Sequence, residues 1–190
     1  MVQFDLSKRK HLPIIKYAGT DWPLWAYFKL RKVMKTGLNL DAYGVSIMLA
    51  EMKLFEDYYL PPFSLKGKTV LDIGACCGET AWFYLKHGAE KVVCIEPLVS
   101  RLNIIQANQK KLNLNIEVVG DIFRPDHLNI QHDFLKCDIE GYEMELIPYI
   151  ERLGPSILEV HTGWIKDKFE KVGFHCVHEI NPLSWIMSNY

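Results

Sequence analysis

Val70-Leu71-Asp72-Ile73-Gly74-Ala75-Cys76-Cys77-Gly78-Glu79-Thr80 decides the architecture. The apolar run Thr69–Ile73 has the continuous hydrophobicity of a strand buried on both faces. Glu79–His87 reads as a helix closed by Gly88. The turn between them carries two glycines. Gly74 lets the backbone approach a ligand with no Cβ in the way. Gly78 falls at the helix start, where free N–H groups and the positive dipole end lie. Asp72 separates this turn from one built for pyrophosphate, because a carboxylate suits a ligand bearing an ammonium or hydroxyls. The dinucleotide pattern Gly-x-Gly-x-x-Gly is absent, with Cys76 and Glu79 at its second and third glycine positions, which disfavours a nicotinamide dehydrogenase.

Downstream the texture repeats. Lys91–Ile95, Asn115–Val119, Phe134–Ile139 and Ser156–Val160 read as strands. Leu98–Leu112, Tyr142–Arg152 and Ile165–Val172 read as helices between and after them. Gly173–Ile180 and Ser184–Asn189 are the last two strands. Short apolar strands alternating with helices predict a doubly wound, mostly parallel α/β sheet of seven strands with helices on both faces. Only a few residues around Asn181-Pro182 join the final pair, too few for a helical crossover, so these strands form a C-terminal antiparallel hairpin. Glu96 ends the second strand, 22 residues after Gly74. An acid there accepts hydrogen bonds from ribose hydroxyls, and turn, strand order and Glu96 together point to a nucleoside-type cofactor.

Upstream, Asp21-Trp22-Pro23 reads as a helix start with Asp21 as N-cap, the helix running to about Lys35 before Gly37. A second helix begins near Asp41 and places Val45, Met48, Leu49, Met52 and Phe55 on one face. Pro61-Pro62 ends it. The expected division is an N-terminal helical cap over residues 1–62 and a cofactor-binding domain over 63–190, the cap closing over the acceptor as a lid.

Composition agrees with a globular α/β chain: 190 residues, 49% apolar, 24% charged, net charge −1. Those proportions exclude a disordered chain, a fibre and a highly basic tail. The total conceals an asymmetry. Residues 1–68 carry 11 basic and 6 acidic groups, and residues 69–190 carry 11 and 17. Neither a secretory stretch nor a membrane-length apolar run is present. Five cysteines, Cys76, Cys77, Cys94, Cys137 and Cys176, form an odd set without Cys-x-x-Cys, so reduced thiols and a cytoplasmic location are expected. No Cys or His pair has zinc-ligand spacing.

The second chemical stretch is Leu135-Lys136-Cys137-Asp138-Ile139-Glu140-Gly141-Tyr142-Glu143. Its strand ends at Asp138, and carboxyl ends of strands converge on the ligand crevice of such sheets. Asp138 and Glu140, with Asp72 in the neighbouring strand, concentrate negative charge there. Some of it must be paired or protonated.

With these motifs the chain resembles the class I S-adenosylmethionine-dependent methyltransferases, a Rossmann-like fold that also ends in a β-hairpin. The resemblance implies S-adenosylmethionine as cofactor, with Asp72, Gly74 and Gly78 at its methionine end and Glu96 on its ribose. It also implies that Asp121, in Val119-Gly120-Asp121-Ile122, contacts the adenine. The full implied set adds Ala75, Glu79, Thr80, Pro97, Ile122 and Asp138. Within that class the fourth-strand motif resembles the FkbM-type family, whose hallmark Lys-x-Asp-x-Glu-Gly-x-Glu is met by Lys136, Asp138, Glu140, Gly141 and Glu143. Asp72-Ile73-Gly74-Ala75, Gly78-Glu79-Thr80, Glu96-Pro97 and Leu158-Glu159-Val160-His161 extend the similarity over about residues 66 to 190. Cys76-Cys77 departs from it, since a polar Asn commonly precedes a small residue there.

FkbM-type enzymes are associated with O-methylation, which implies a hydroxyl on a small molecule or sugar as acceptor. A neutral hydroxyl must lose its proton as it attacks. His161, at the end of the fifth strand, is the expected base or acceptor-orienter, with Asp138 and Glu140 as alternatives. A magnesium ion bridging Asp138, Glu140 and His161 suits the ligand chemistry, but no spacing demands it and no metal is expected. No Asn- or Asp-Pro-Pro-Tyr follows the fourth strand, which disfavours methylation of exocyclic base nitrogens. Trp22, Trp25, Tyr27 and Phe28 interleave with Lys29, Arg31, Lys32 and Lys35. They fit a helix packed through its aromatics or, alternatively, an RNA-holding surface on an RNA methyltransferase. A non-catalytic nucleoside-binding protein is the third reading.

Overall fold

The structure, a computed structural model, describes residues 14–23 and 26–190. It opens with a hairpin, β1 (Ile14–Tyr17) and β2 (Thr20–Pro23). Asp21-Trp22-Pro23 therefore lies in a strand and starts no helix. Ala18 and Gly19 both take left-handed backbone, φ +52° and +74°, the pairing a tight two-residue hairpin turn requires. The Trp22 indole N–H donates to the Tyr17 carbonyl at 3.1 Å. The Ala-Gly turn outweighs the capping pattern that Asp21 and Pro23 suggest. Trp25 lies outside the described residues.

Helix α1 (Tyr27–Lys35) follows without a side-chain cap and packs through Leu30 and Val33. Its aromatics are not its packing face: Phe28 is 76% exposed and Tyr27 42%. Helix α2 (Ala42–Tyr58) starts as expected, with the Asp41 carboxylate accepting from the Gly44 N–H at 2.7 Å. Val45, Met48 and Phe55 are buried.

The sheet is built from β3 (Thr69–Ile73), β4 (Lys91–Ile95), β5 (Ile116–Val119), β6 (Phe134–Cys137), β7 (Ser156–His161), β8 (His175–Asn181) and β9 (Ser184–Ser188). Their order is β5-β4-β3-β6-β7-β9-β8, with β9 antiparallel to both neighbours and the first five strands parallel. This is the doubly wound sheet with its terminal hairpin. Side-chain alternation splits the core in two. Val70, Val92, Phe134 and Ile186 pack beneath α1, α2, α3 (Glu79–Lys86) and α4 (Val99–Leu112). Leu71, Val93, Leu135 and Met187 pack against α5 (Gly163–Lys171) and the segments around Leu128 and Leu146. The first cluster runs unbroken from α1 and α2 into the sheet.

Tyr142–Arg152, expected as an α-helix, is a 3-10 segment over Glu143–Arg152 with Pro148 inside and a non-helical break at Tyr149. Pro148 has no N–H to continue an α-helical ladder. Strand order reverses between β3 and β6, so the crevice above their carboxyl ends is where a ligand is expected.

Candidate cofactor and acceptor site

A cavity of about 530 Å³ opens at that point. Its floor is made by strand ends: Ile73 and Gly74 after β3, Ile95, Glu96 and Pro97 after β4, Asp121 and Ile122 after β5, and Asp138 and Glu140 after β6. Its roof is a stripe of α2, Tyr43, Ile47, Glu51 and Phe55, spaced four apart on one helix face, with Tyr59 beyond.

Of the residues expected from sequence at the cofactor, Gly74, Glu79, Thr80, Glu96, Pro97, Asp121, Ile122 and Asp138 line the cavity. Asp72, Ala75 and Gly78 stand behind it. Asp72 is fully buried, accepts from the Thr80 hydroxyl at 2.5 Å and faces the Lys136 ammonium at 3.4 Å. Gly74 lies so close to β6 that a Cβ would sit 1.7 Å from the Asp138 carbonyl oxygen. Gly78 caps α3 in left-handed backbone.

Three carboxylates hold the turns. Glu96 accepts from the Cys76 N–H at 3.0 Å and the Leu98 N–H at 2.9 Å. Each of its oxygens keeps a lone pair for a further donor. Glu79 accepts from the Cys77 N–H at 2.9 Å, and burial pushes its pKa up to about 7. Asp121 pairs with Arg124. Lys136, quoted in the motif without a role, is buried among Asp72, Asp138 and the Gly74 carbonyl. Burial would lower its pKa, but the two aspartates hold it above the ordinary value.

The second cluster centres on His161. Its Nδ1 lies 3.1 Å from Glu143 Oε1. Its Nε2 faces Glu159 at 3.5 Å, Glu140 at 3.6 Å and Asp138 at 4.0 Å. Burial alone would lower the His161 pKa, but hydrogen bonds to Glu143 and Glu159 and the Asp138 charge raise it to about 10. Burial raises Asp138 to about 7 against the pull of Lys136. Glu159 is held below its ordinary value despite burial, by His161, Ser184 and Tyr59. Glu140 has left-handed backbone at φ +55° and accepts from the Tyr43 hydroxyl at 2.7 Å. Cys76 and Thr162 are also left-handed, so the loops after β3, β6 and β7 each hold a strained residue at this crevice.

Sequence reasoning missed Tyr43, Glu51, Tyr59 and Arg101. The first three recur every eight residues, about two helical turns, a polar stripe beside the apolar one that was read.

No family model matches the chain, and no curated protein matches it. Solved structures do. A ribosomal protein L11 methylase from Lactobacillus delbrueckii subsp. bulgaricus is 18% identical, with TM-score 0.56 over 78% of this chain and 81% of that one. A SAM-dependent methyltransferase from Aquifex aeolicus is 18% identical, with TM-score 0.52 over 72% and 87%. An rRNA methylase from Streptococcus thermophilus is 14% identical, with TM-score 0.50 over 66% and 87%. The chain has the class I methyltransferase fold. No described helix is long and apolar enough to cross a membrane.

Proposed function

We propose that this chain transfers the methyl group of S-adenosylmethionine to a hydroxyl of a small molecule or sugar, within the FkbM-type branch of its fold class. One observation carries the reading. A single cavity joins Gly74, Glu96 and Asp121 to Asp138 and Glu140 beneath the α2 stripe. Its volume is that of a small-molecule site.

The residues present suit the cofactor. Glu96 has lone pairs free for ribose hydroxyls, and Ile95, Leu98, Ile122 and Phe123 offer an apolar slot for a base beside Asp121. When bound, the cofactor supplies an electrophilic methyl on a sulfonium. Asp138 places negative charge towards that cation. Asp72, Ala75 and Gly78 shape the turn from behind. Glu140 is the group we assign to accept the acceptor's proton, because it faces the cavity and is 64% exposed at its side chain. His161 is a positioning residue in this reading. With both ring nitrogens facing carboxylates and its pKa near 10, it keeps its proton and holds Glu140 and Asp138 in place. Within the proposed cap of residues 1–62, α2 and Tyr59 supply the roof, and the proposed domain of residues 63–190 supplies the cofactor floor.

A second reading, RNA as acceptor, is favoured by α1. Its exposed Phe28 and Tyr27 stand beside Lys29, Arg31, Lys32 and Lys35, none of which pairs with a carboxylate among the described residues. Exposed aromatics among cations suit single-stranded RNA.

Thermal shift with S-adenosylmethionine, S-adenosylhomocysteine and NAD tests the cofactor. The midpoint rises with the first two. A rise with NAD alone overturns methyl transfer. Labelled methyl transfer to pooled polyols and sugars, run against total RNA, then tests the acceptor. Label in RNA that falls steeply between 50 and about 200 mM salt favours the second reading.

A further inference from the structure

The carboxylates around His161 outnumber the cations that face them. Asp138, Glu140, Glu143 and Glu159 surround one imidazole. Lys136 is the other cation nearby, and it is shared with Asp72. Two oxygens of this group are buried with no hydrogen-bond partner among the described residues: Asp138 Oδ1 and Glu143 Oε2. Glu143 is wholly buried. Such oxygens are costly to keep without a partner.

We propose that Asp138, Glu143 and His161 bind one divalent cation of the manganese or zinc kind beside the cavity, which Asp138 alone of the three lines. Each residue offers one donor atom, and the three lie within 4.8 Å of one another. The Glu143 carboxylate is already fixed, because its Oε1 accepts from the Gly141 N–H at 2.9 Å and the Ile139 N–H at 3.3 Å. That leaves Oε2 free as a donor on a rigid loop. Glu159, anchored by Tyr59 and Ser184, and Glu140 flank the ring and add negative charge around the ion. Two carboxylate oxygens with one imidazole nitrogen suit manganese or zinc. Calcium requires more oxygens, and softer ions favour sulfur. Ligation uses the free-base imidazole, so the proton that His161 keeps in the metal-free chain leaves for solvent as the ion enters.

The sequence raised magnesium on Asp138, Glu140 and His161, although no spacing demanded it. Glu143 replaces Glu140 in the close group, and the pairing of β6 with β7 brings it to His161, 18 residues further on. A second group, Cys76, Cys77 and Glu79, also lies close. It lacks the same support, because Glu79 Oε2 is already occupied by the Cys77 N–H.

The ion's role, holding the acceptor hydroxyl at Asp138, rests on the methyl-transfer reading; its binding does not. The test therefore uses the full chain stripped with EDTA and free of S-adenosylmethionine. Mn²⁺ is titrated in and free Mn²⁺ is followed by its paramagnetic resonance signal. One ion per chain is expected. His161→Gln and Glu143→Gln each weaken binding at least about tenfold while the far-ultraviolet circular dichroism spectrum stays unchanged. If Glu143→Gln does not fold, His161→Gln decides, since that side chain is partly exposed at the surface. No Mn²⁺ or Zn²⁺ bound, or binding equal in wild type and folded variants, overturns the site. A chain that binds Mn²⁺ but shows no thermal shift with S-adenosylmethionine keeps the cation site and loses the methyl-transfer reading. The opposite pair of results does the reverse.

Discussion

The turns after β3 and β6 are neighbours, and each carries an aspartate, yet the two aspartates live differently. Asp72 is sealed in the core, with Thr80 and Lys136 answering its charge. Asp138 lines the cavity, with Lys136 and His161 each 4.0 Å away, although one oxygen of each aspartate lacks a hydrogen-bond partner among the described residues. The first turn spends its charge on holding shape and presents mostly backbone to the cavity. The second presents its carboxylate to the cavity. The lesson is that identical residue types in adjacent turns, sharing the Lys136 ammonium, are sealed in the core or turned to a cavity according to where the fold places them.

The sharpest way to break this contrast is to push the turns apart. Gly74→Ala sets a methyl against the Asp138 carbonyl and demands left-handed backbone of an alanine. It should cost more than about 5 kcal/mol, or abolish cooperative unfolding in urea altogether. A loss under about 1 kcal/mol would show that the turns can part. Next comes Lys136→Met, which strands Asp72 in the core. The expected loss is about 3 to 5 kcal/mol, and adding Asp72→Asn should restore most of it. A double variant no better than the single would mean that Lys136 serves Asp138 more than Asp72.

The smallest effect appears only across pH. Glu79 has a folded pKa near 7, above its ordinary value of 4.5, because of burial. The unfolded chain therefore loses this proton first. The stability it contributes is complete below about pH 4.5 and is lost as pH rises through 7. Glu79→Gln, which imitates the protonated acid, should gain on wild type over that window by on the order of 3 kcal/mol. Urea midpoints at pH 5, 6, 7 and 8 measure it. A difference that does not change with pH would mean that Glu79 is already ionised in the fold, and the first turn would then hold more live charge than the contrast allows.

Much of the sheet was legible because its signals are local. Continuous apolar runs mark β3 through β7, with a glycine directly after β3 and β5, and the short Asn181-Pro182 link marks the hairpin. Asp41 announced α2. The cavity-lining residues were legible for the same reason, since Gly74, Glu96 and Asp121 each sit just past a strand. What stayed hidden depends on contacts between distant segments or on competition between signals. Trp22 joined a hairpin because Ala18-Gly19 could turn. The aromatics of α1 face outwards because Leu30 and Val33 already fill its contact. In the cluster at His161, Asp138 and Glu140 were named from sequence, but the contacts of Glu143 and Glu159 with the ring need several segments at once, and the cavity stripe of α2 takes meaning only after the sheet lies beneath it.

Helix α2 bears on how ligands come and go. At Gly44 an added Cβ would lie 2.9 Å from Cys77 Sγ, and at the other end the Tyr59 hydroxyl donates to Glu159 while its carbonyl accepts from Tyr84. A beam fastened at both ends does not swing as a hinged lid does. Traffic through the cavity then falls to the side chains along its open rim, among them the exposed Leu98, Ile122 and Tyr142. Rotations of exposed side chains take picoseconds to nanoseconds, whereas domain opening takes microseconds to milliseconds. Exchange with such a chamber is set by its rim, and the roof keeps no clock of its own.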